Sequence, residues 1–124
     1  MKFAKYTYLI ASIWGFLVLT PLYFMETQNG IDYPPPITHP EYYYGFIGLA
    51  LVFQFLFFVI SRDPLYYRKI MPITFLEKII FIVPIIILFA QNRTGINMVY
   101  GAITDSILLV FFVISYWKTG TKQA

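Results

Sequence analysis

Glu77 and Asp105 each lie inside an otherwise apolar run of this chain. An ionisable group held in hydrocarbon is costly, and by default it marks a function. Gln54 is a third polar group in such a run, and its amide needs a hydrogen-bond partner wherever water is scarce. With Ser12 and Thr104 in support, these three form a candidate buried set. It has three possible uses. The groups could be hydrogen-bonded glue between helices. They could hold the polar head of an amphipathic lipid, such as a quinone or isoprenoid, on Asp105 or Glu77, with its tail among Phe53, Phe57 and Phe81. They could instead relay protons or ions, or act as acid and base on a lipid substrate.

A second set gathers at what reads as the outer rim: Glu26, Asp32, His39, Glu41 and Arg93. Of these, Glu26, His39 and Arg93 are candidate binding residues. One histidine with two carboxylates lacks the spacing of a metal motif, so His39 reads as a solvated loop residue between prolines, with no metal expected. Arg93 is expected to pair with Glu26 or Glu41, or to turn inward to Asp105. The absence of cysteine excludes thiolate metal sites, disulfides and cysteine nucleophiles.

The elements that must position these groups are membrane spans. Of the 124 residues, 59% are hydrophobic and 12% charged. A water-soluble domain carries nearer a quarter charged residues. Four windows, 6–24, 42–61, 72–91 and 97–117, approach the ~20 residues that a helix needs to cross a hydrocarbon core of ~30 Å. Little is left for a soluble domain, so 1–124 reads as one transmembrane domain.

Lys2 and Lys5 before the first run imitate a signal peptide, but the run is long and Met25-Glu26-Thr27 offers no small-residue cleavage pattern. An uncleaved first span is expected. Tyr8, Ser12, Gly15, Leu19, Leu22 and Glu26 share one of its faces, where Ser12 and Gly15 admit a close neighbour. Asn29-Gly30 predicts a turn, and Pro34-Pro35-Pro36 a stiff extended segment. Tyr42, Tyr43 and Tyr44 open the second span at the headgroup level. Gly45, Gly48 and Ala50 offer it close-approach positions, and Gln54, Phe57 and Ser61 lie on a face that should point into the bundle.

Spans 42–61 and 72–91, joined by the basic connector 62–69, read as a helical hairpin. Asp63-Pro64 stops one helix and Pro72 starts the next. Arg62, Arg68 and Lys69 should snorkel or meet anionic lipid. Glu77 lies roughly 8 Å inside the third span, on a face with Thr74, Phe81, Pro84, Leu88 and Gln91, where Pro84 should bend the helix. Lys78 is expected to snorkel back to the headgroups. In the fourth span, Asn97, Gly101, Thr104, Asp105 and Leu108 share a stripe, with Asp105 about 12 Å deep and roughly 10 Å from Glu77. The tail, 118–124, reads as disordered from Thr119 onward.

Lys2, Lys5, Arg62, Arg68, Lys69, Lys78, Lys118 and Lys122 fall on one side and only Arg93 on the other. That asymmetry predicts cytoplasmic N and C termini, in keeping with an even number of spans. Because the net charge of +3 sits at span ends rather than in a cluster, it is a topology signal and implies no nucleic acid.

The run His39-Pro40-Glu41-Tyr42-Tyr43-Tyr44-Gly45-Phe46, with Arg62-Asp63-Pro64 and Glu77-Lys78, resembles a group of small bacterial four-span membrane proteins without assigned activity. The architecture is more loosely similar to DoxX-like membrane proteins, which implies an association with quinone or redox chemistry in the bacterial inner membrane. In shape it is also similar to the sterol-isomerase fold, whose buried acids transfer protons, but no catalytic residue carries over. The expectation is therefore an all-α integral membrane four-helix bundle that binds a lipid or quinone-like ligand or serves as an accessory subunit. The alternative is a lipid-directed isomerase or redox-associated enzyme using Glu77 and Asp105 for proton transfer. Expected partners are membrane lipid and either another membrane protein or a second copy, and no cofactor is identified.

Overall fold

The computed structural model describes residues 2–123, with side chains through Gly120, and all regular structure among them is helical. The long helices are α1 (Lys2–Leu22), α3 (Pro40–Arg62), α4 (Met71–Ala90) and α5 (Ile96–Gln123), with a short α2 (Glu26–Asp32) between the first two. Each of the four long helices is long and apolar enough to cross a membrane. Many large apolar side chains, among them Leu17, Leu49, Ile80 and Trp117, face outward. This is the reverse of a water-soluble domain and suits hydrocarbon as solvent.

The helix ends follow from local chemistry. Beyond Arg62, Asp63 turns the chain, its Oδ1 accepting the Tyr66 N–H at 3.2 Å, and Pro72 occupies the first turn of α4. At the far end of α4, Asn92 takes a left-handed conformation with φ of 58°. The Asn92 and Arg93 N–H groups then bond back to the Phe89 and Leu88 carbonyls at 3.0 and 2.8 Å. Those bonds satisfy carbonyls that the ending helix would otherwise strand. Within α5, Ser106, Ser115 and Thr119 donate to carbonyls four residues earlier at 2.8 Å each, so their hydroxyls are satisfied without a second helix.

Packing does not follow chain order. α1 lies along α3, α4 lies along α5, and α1 against α5 joins the two pairs. α3 and α4, consecutive in the chain and expected to form the organising hairpin, meet least among these neighbours. The core lies toward the end of the bundle that carries the termini, built on Ala4, Tyr8, Ala11, Phe57, Ile60, Met71 and Phe112. Tyr8 stacks on Phe112 with ring centroids 4.3 Å apart and meets Phe57 edge-on at 6.0 Å. Its phenol lies 2.8 Å from the Thr74 hydroxyl, which itself donates to the Met71 carbonyl at 2.6 Å. Thr74 has one proton to give, so Tyr8 is the donor in their contact.

Several expectations change. Residues 26–32 form α2 rather than an Asn29-Gly30 turn; Gly30 is buried there, and a Cβ on it would come within 3.1 Å of the Pro36 Cα. Gly45 and Gly48 are not close-approach positions, since nothing lies within 4 Å of where their Cβ atoms would stand. Gly15 is one: a Cβ there would overlap the Gln54 carboxamide. The tail does not begin at Thr119, which is fully buried in a helix running to Gln123. The side chain of Lys122 and all of Ala124 lie outside the described residues.

Candidate functional site

The inward stripe of α4 is Met71, Thr74, Lys78, Ile82 and Ile85. Their spacing of three and four residues places them on one helical face. That stripe is rotated from the expected one, on which Pro84 and Gln91 are in fact exposed. Lys78 therefore points into the bundle instead of snorkelling to its edge, and its side chain is only 6% exposed.

Two carboxylates meet its ammonium. Lys78 Nζ lies 3.2 Å from Asp105 Oδ1, to which it donates, and 3.4 Å from Glu77 Oε2. The two acids are thus closer together than the roughly 10 Å expected from helix rise, because Lys78 spans the gap between α4 and α5. Glu77 and Asp105 are partly buried, at 15% and 21% side-chain exposure. The ammonium also lies over the rings of Phe57 and Phe112, at 5.3 and 5.9 Å from their centroids. Such faces attract a desolvated cation. One ammonium thus faces two carboxyl groups. Glu77 Oε2 is buried and accepts no hydrogen bond among the described residues.

Gln54 points inward as expected, 3% exposed, but it contributes to a neighbouring cluster rather than to the triad. Its Nε2 donates to the Ala50 carbonyl at 2.8 Å on its own helix, and its backbone carbonyl accepts from Ser12 Oγ at 2.8 Å. Its side chain fills the space left by Gly15, so Ser12, Gly15 and Gln54 lock α1 to α3. Thr104 bonds back to the Tyr100 carbonyl at 3.2 Å. Phe81, from the stripe of Glu77, reaches both α3, where its ring lies 6.2 Å from that of Phe46, and Gly101 of α5.

The chain matches no known family model, curated protein or solved structure. Its site therefore rests on its own geometry.

The expected rim residues are not brought into one site. His39 Nδ1 pairs with Glu41 Oε1 at 2.9 Å, and its ring stacks on Tyr42 at 4.5 Å. Arg93 Nη1 donates to Gln91 Oε1 at 3.2 Å rather than to Glu26 or Glu41, and the inward partner of Asp105 is Lys78, not Arg93. Glu26 lines an open recess of about 510 Å³ with Tyr23, Thr27 and Tyr44. Among the described residues, no three acidic or histidine side chains converge as a metal site.

Sequence reasoning missed two residues. Lys78 was legible only as part of the alternative α4 stripe, four residues beyond Thr74 and four before Ile82. Arg68, expected at the headgroups, instead lies over the Tyr116 ring at 3.8 Å and donates to the Tyr116 carbonyl at 3.0 Å. Its guanidinium occupies the space that Gly120 leaves open, for which no local sequence pattern is a signal.

Proposed function

We propose that this chain is a multi-pass protein of the bacterial inner (plasma) membrane, with both termini cytoplasmic, that binds a lipid-soluble ligand with a hydroxyl or quinone-like head beside Glu77. The insertion is supported by cations: Lys2, Lys5, Arg62, Arg68, Lys69 and Lys118 gather toward the termini end, with Arg93 at the other. The observation that carries the ligand is Glu77 Oε2, a buried oxygen that takes no hydrogen bond although it lies 3.4 Å from Lys78 Nζ, in a cluster where two carboxyl groups share one ammonium. The ammonium donates to Asp105 instead, and a ligand O–H would give Glu77 Oε2 the hydrogen bond it lacks. The ligand would enter where α3 and α4 meet least, with its tail beside Phe46 and Phe81, whose rings lie 6.2 Å apart.

The resemblance to DoxX-like proteins belongs to the same proposal and points to quinone or redox chemistry. The enzyme alternative, proton transfer by Glu77 and Asp105 on a lipid, is supported by their shared ammonium, which would hold the charge of whichever acid is ionised. The accessory-subunit form rests on the α3 surface at Gly45 and Gly48, open to another membrane protein or a second copy.

The test is equilibrium binding of decylubiquinol and of farnesol to the detergent-purified protein. Saturable binding of at least one is expected, weakened tenfold or more in Glu77→Gln, in line with about 1.5–3 kcal/mol for a hydrogen bond to a charged group. Circular dichroism checks that the variant folds. No saturable binding of either compound, or equal binding by a folded Glu77→Gln protein, refutes the ligand assignment.

A further inference from the structure

We propose that the recess where α1 gives way to α2 binds a quaternary ammonium group, held by the rings of Tyr23, Phe24 and Tyr44 and by the carboxylate of Glu26. These residues line an open space of about 510 Å³ at the end of the bundle away from the chain termini. Beyond Leu22 the chain turns at once, the Tyr23, Phe24 and Met25 N–H groups bonding back to the Thr20, Pro21 and Leu22 carbonyls at 3.2, 3.0 and 3.1 Å. The Tyr43 phenol of α3 donates to the Leu22 carbonyl and fastens α3 to that turn, which sets Tyr44 beside Tyr23. The Tyr23 ring centroid lies 5.1 Å from that of Tyr44 at an interplanar angle of 64°, and 5.9 Å from that of Phe24 at 68°. The rings therefore meet as the walls of a corner do. Glu26 is partly buried next to them, and among the described residues no cation or hydrogen-bond donor partners its carboxylate.

Aromatic faces attract cations, and most effectively those that have shed their water. A quaternary ammonium is weakly hydrated and carries no N–H, so rings and one carboxylate meet its needs. A primary ammonium would bring three donors to a single carboxylate, and a metal ion would require several oxygen ligands, whereas no three acidic or histidine side chains converge among the described residues. An apolar ligand would leave Glu26 unmatched, and an anion would be repelled by it. The field around the recess has the same sign, since Glu26, Asp32 and Glu41 lie at this end against Arg93. Glu77 belongs to the half of α4 nearer the termini, and the recess requires neither it nor a particular orientation of the chain, so a negative quinol experiment leaves the ammonium site standing.

The probe is choline, titrated against the whole chain in a maltoside detergent and followed by saturation-transfer difference NMR. Saturable binding is expected, with clearly weaker binding of dimethylbutanol, the uncharged isostere that has carbon in place of nitrogen. Tyr44→Leu and Glu26→Gln should each weaken choline roughly fivefold, the size of one cation contact at an exposed site, while Tyr44→Phe keeps the ring and most of the affinity. Glu41→Gln removes the same charge from the same end but outside the recess, and should change nothing. Circular dichroism checks that each variant is helical. A repeat in phosphatidylglycerol nanodiscs doped equally with phosphatidylcholine or with phosphatidylethanolamine separates the sources at matched surface charge. Choline binding suppressed by phosphatidylcholine alone assigns the site to a lipid headgroup, and equal binding in both assigns it to a free solute. No saturable choline signal, equal binding of the isostere, full affinity in a folded Tyr44→Leu protein, or equal losses in Glu41→Gln and Glu26→Gln overturns the site.

Discussion

Replacing Lys78 with Met keeps an unbranched side chain of similar reach but removes the one cation between two acids. At 3.2 Å and an effective dielectric of about 20, the Lys78–Asp105 attraction is about 5 kcal/mol, and the Glu77 contact at 3.4 Å is nearly as large. Desolvation of the three groups offsets much of that gain, and repulsion between the acids offsets more. Losing the ammonium, however, leaves both carboxylates partly buried and facing each other. Breaking a buried ion pair by removing one partner costs about 3–5 kcal/mol, and a loss in that range is expected for Lys78→Met. Asp105→Asn in the same background removes one of the stranded charges. The double variant should therefore be more stable than Lys78→Met alone, with a coupling on the order of 1.5 kcal/mol or more. Thermal and SDS-induced unfolding in micelles, followed by circular dichroism, would measure the cycle. If Lys78→Met unfolds within about 0.5 kcal/mol of wild type, the range of an inconsequential surface change, or if the coupling is zero, the ion triad is not what holds α4 to α5 at this level.

Glycine substitutions should separate a filled position from an open one. Gly15→Ala drives a methyl into the Gln54 carboxamide and should cost about 1–3 kcal/mol, partly relieved by Gln54→Ala, whereas Gly45→Ala meets nothing and should be neutral or stabilising by up to about 1 kcal/mol in the same unfolding assay. Arg68→Ala removes the contact that fastens the connector to the last turns of α5. Amide hydrogen exchange at Tyr116 to Gly120 should then rise several-fold while the Tyr8 layer stays protected, and unchanged exchange would count against that contact.

Much of the fold was legible because a helix long and apolar enough to cross a membrane leaves a long, local record. The four apolar windows became the four long helices, and the helix-stopping Asp63-Pro64 and helix-starting Pro72 acted as their chemistry demands. The inward faces of α1 and α3 were also readable, since Tyr8, Ser12, Gly15, Gln54, Phe57 and Ser61 recur at helical spacing and are all buried. On α4 the same logic selected the wrong stripe. A lysine two turns into an apolar helix has a long enough side chain to reach the headgroups, so local reasoning sends it outward. Only the acids presented by α4 and α5 together make the inward position stable.

What the residues determined by themselves is therefore the set of helices, the points at which they begin and end, and the scarcity of groups able to do chemistry. Those properties depend on composition, proline and periodicity within single segments. Which helices touch, that α1 takes α3 while α5 takes α4, and that Glu77 and Asp105 share the Lys78 ammonium, was decided by packing. Apolar helix surfaces are nearly interchangeable in a hydrocarbon-like setting. The discrimination falls to a few small side chains, aromatic contacts and unmatched charges, whose partners lie tens of residues away along the chain.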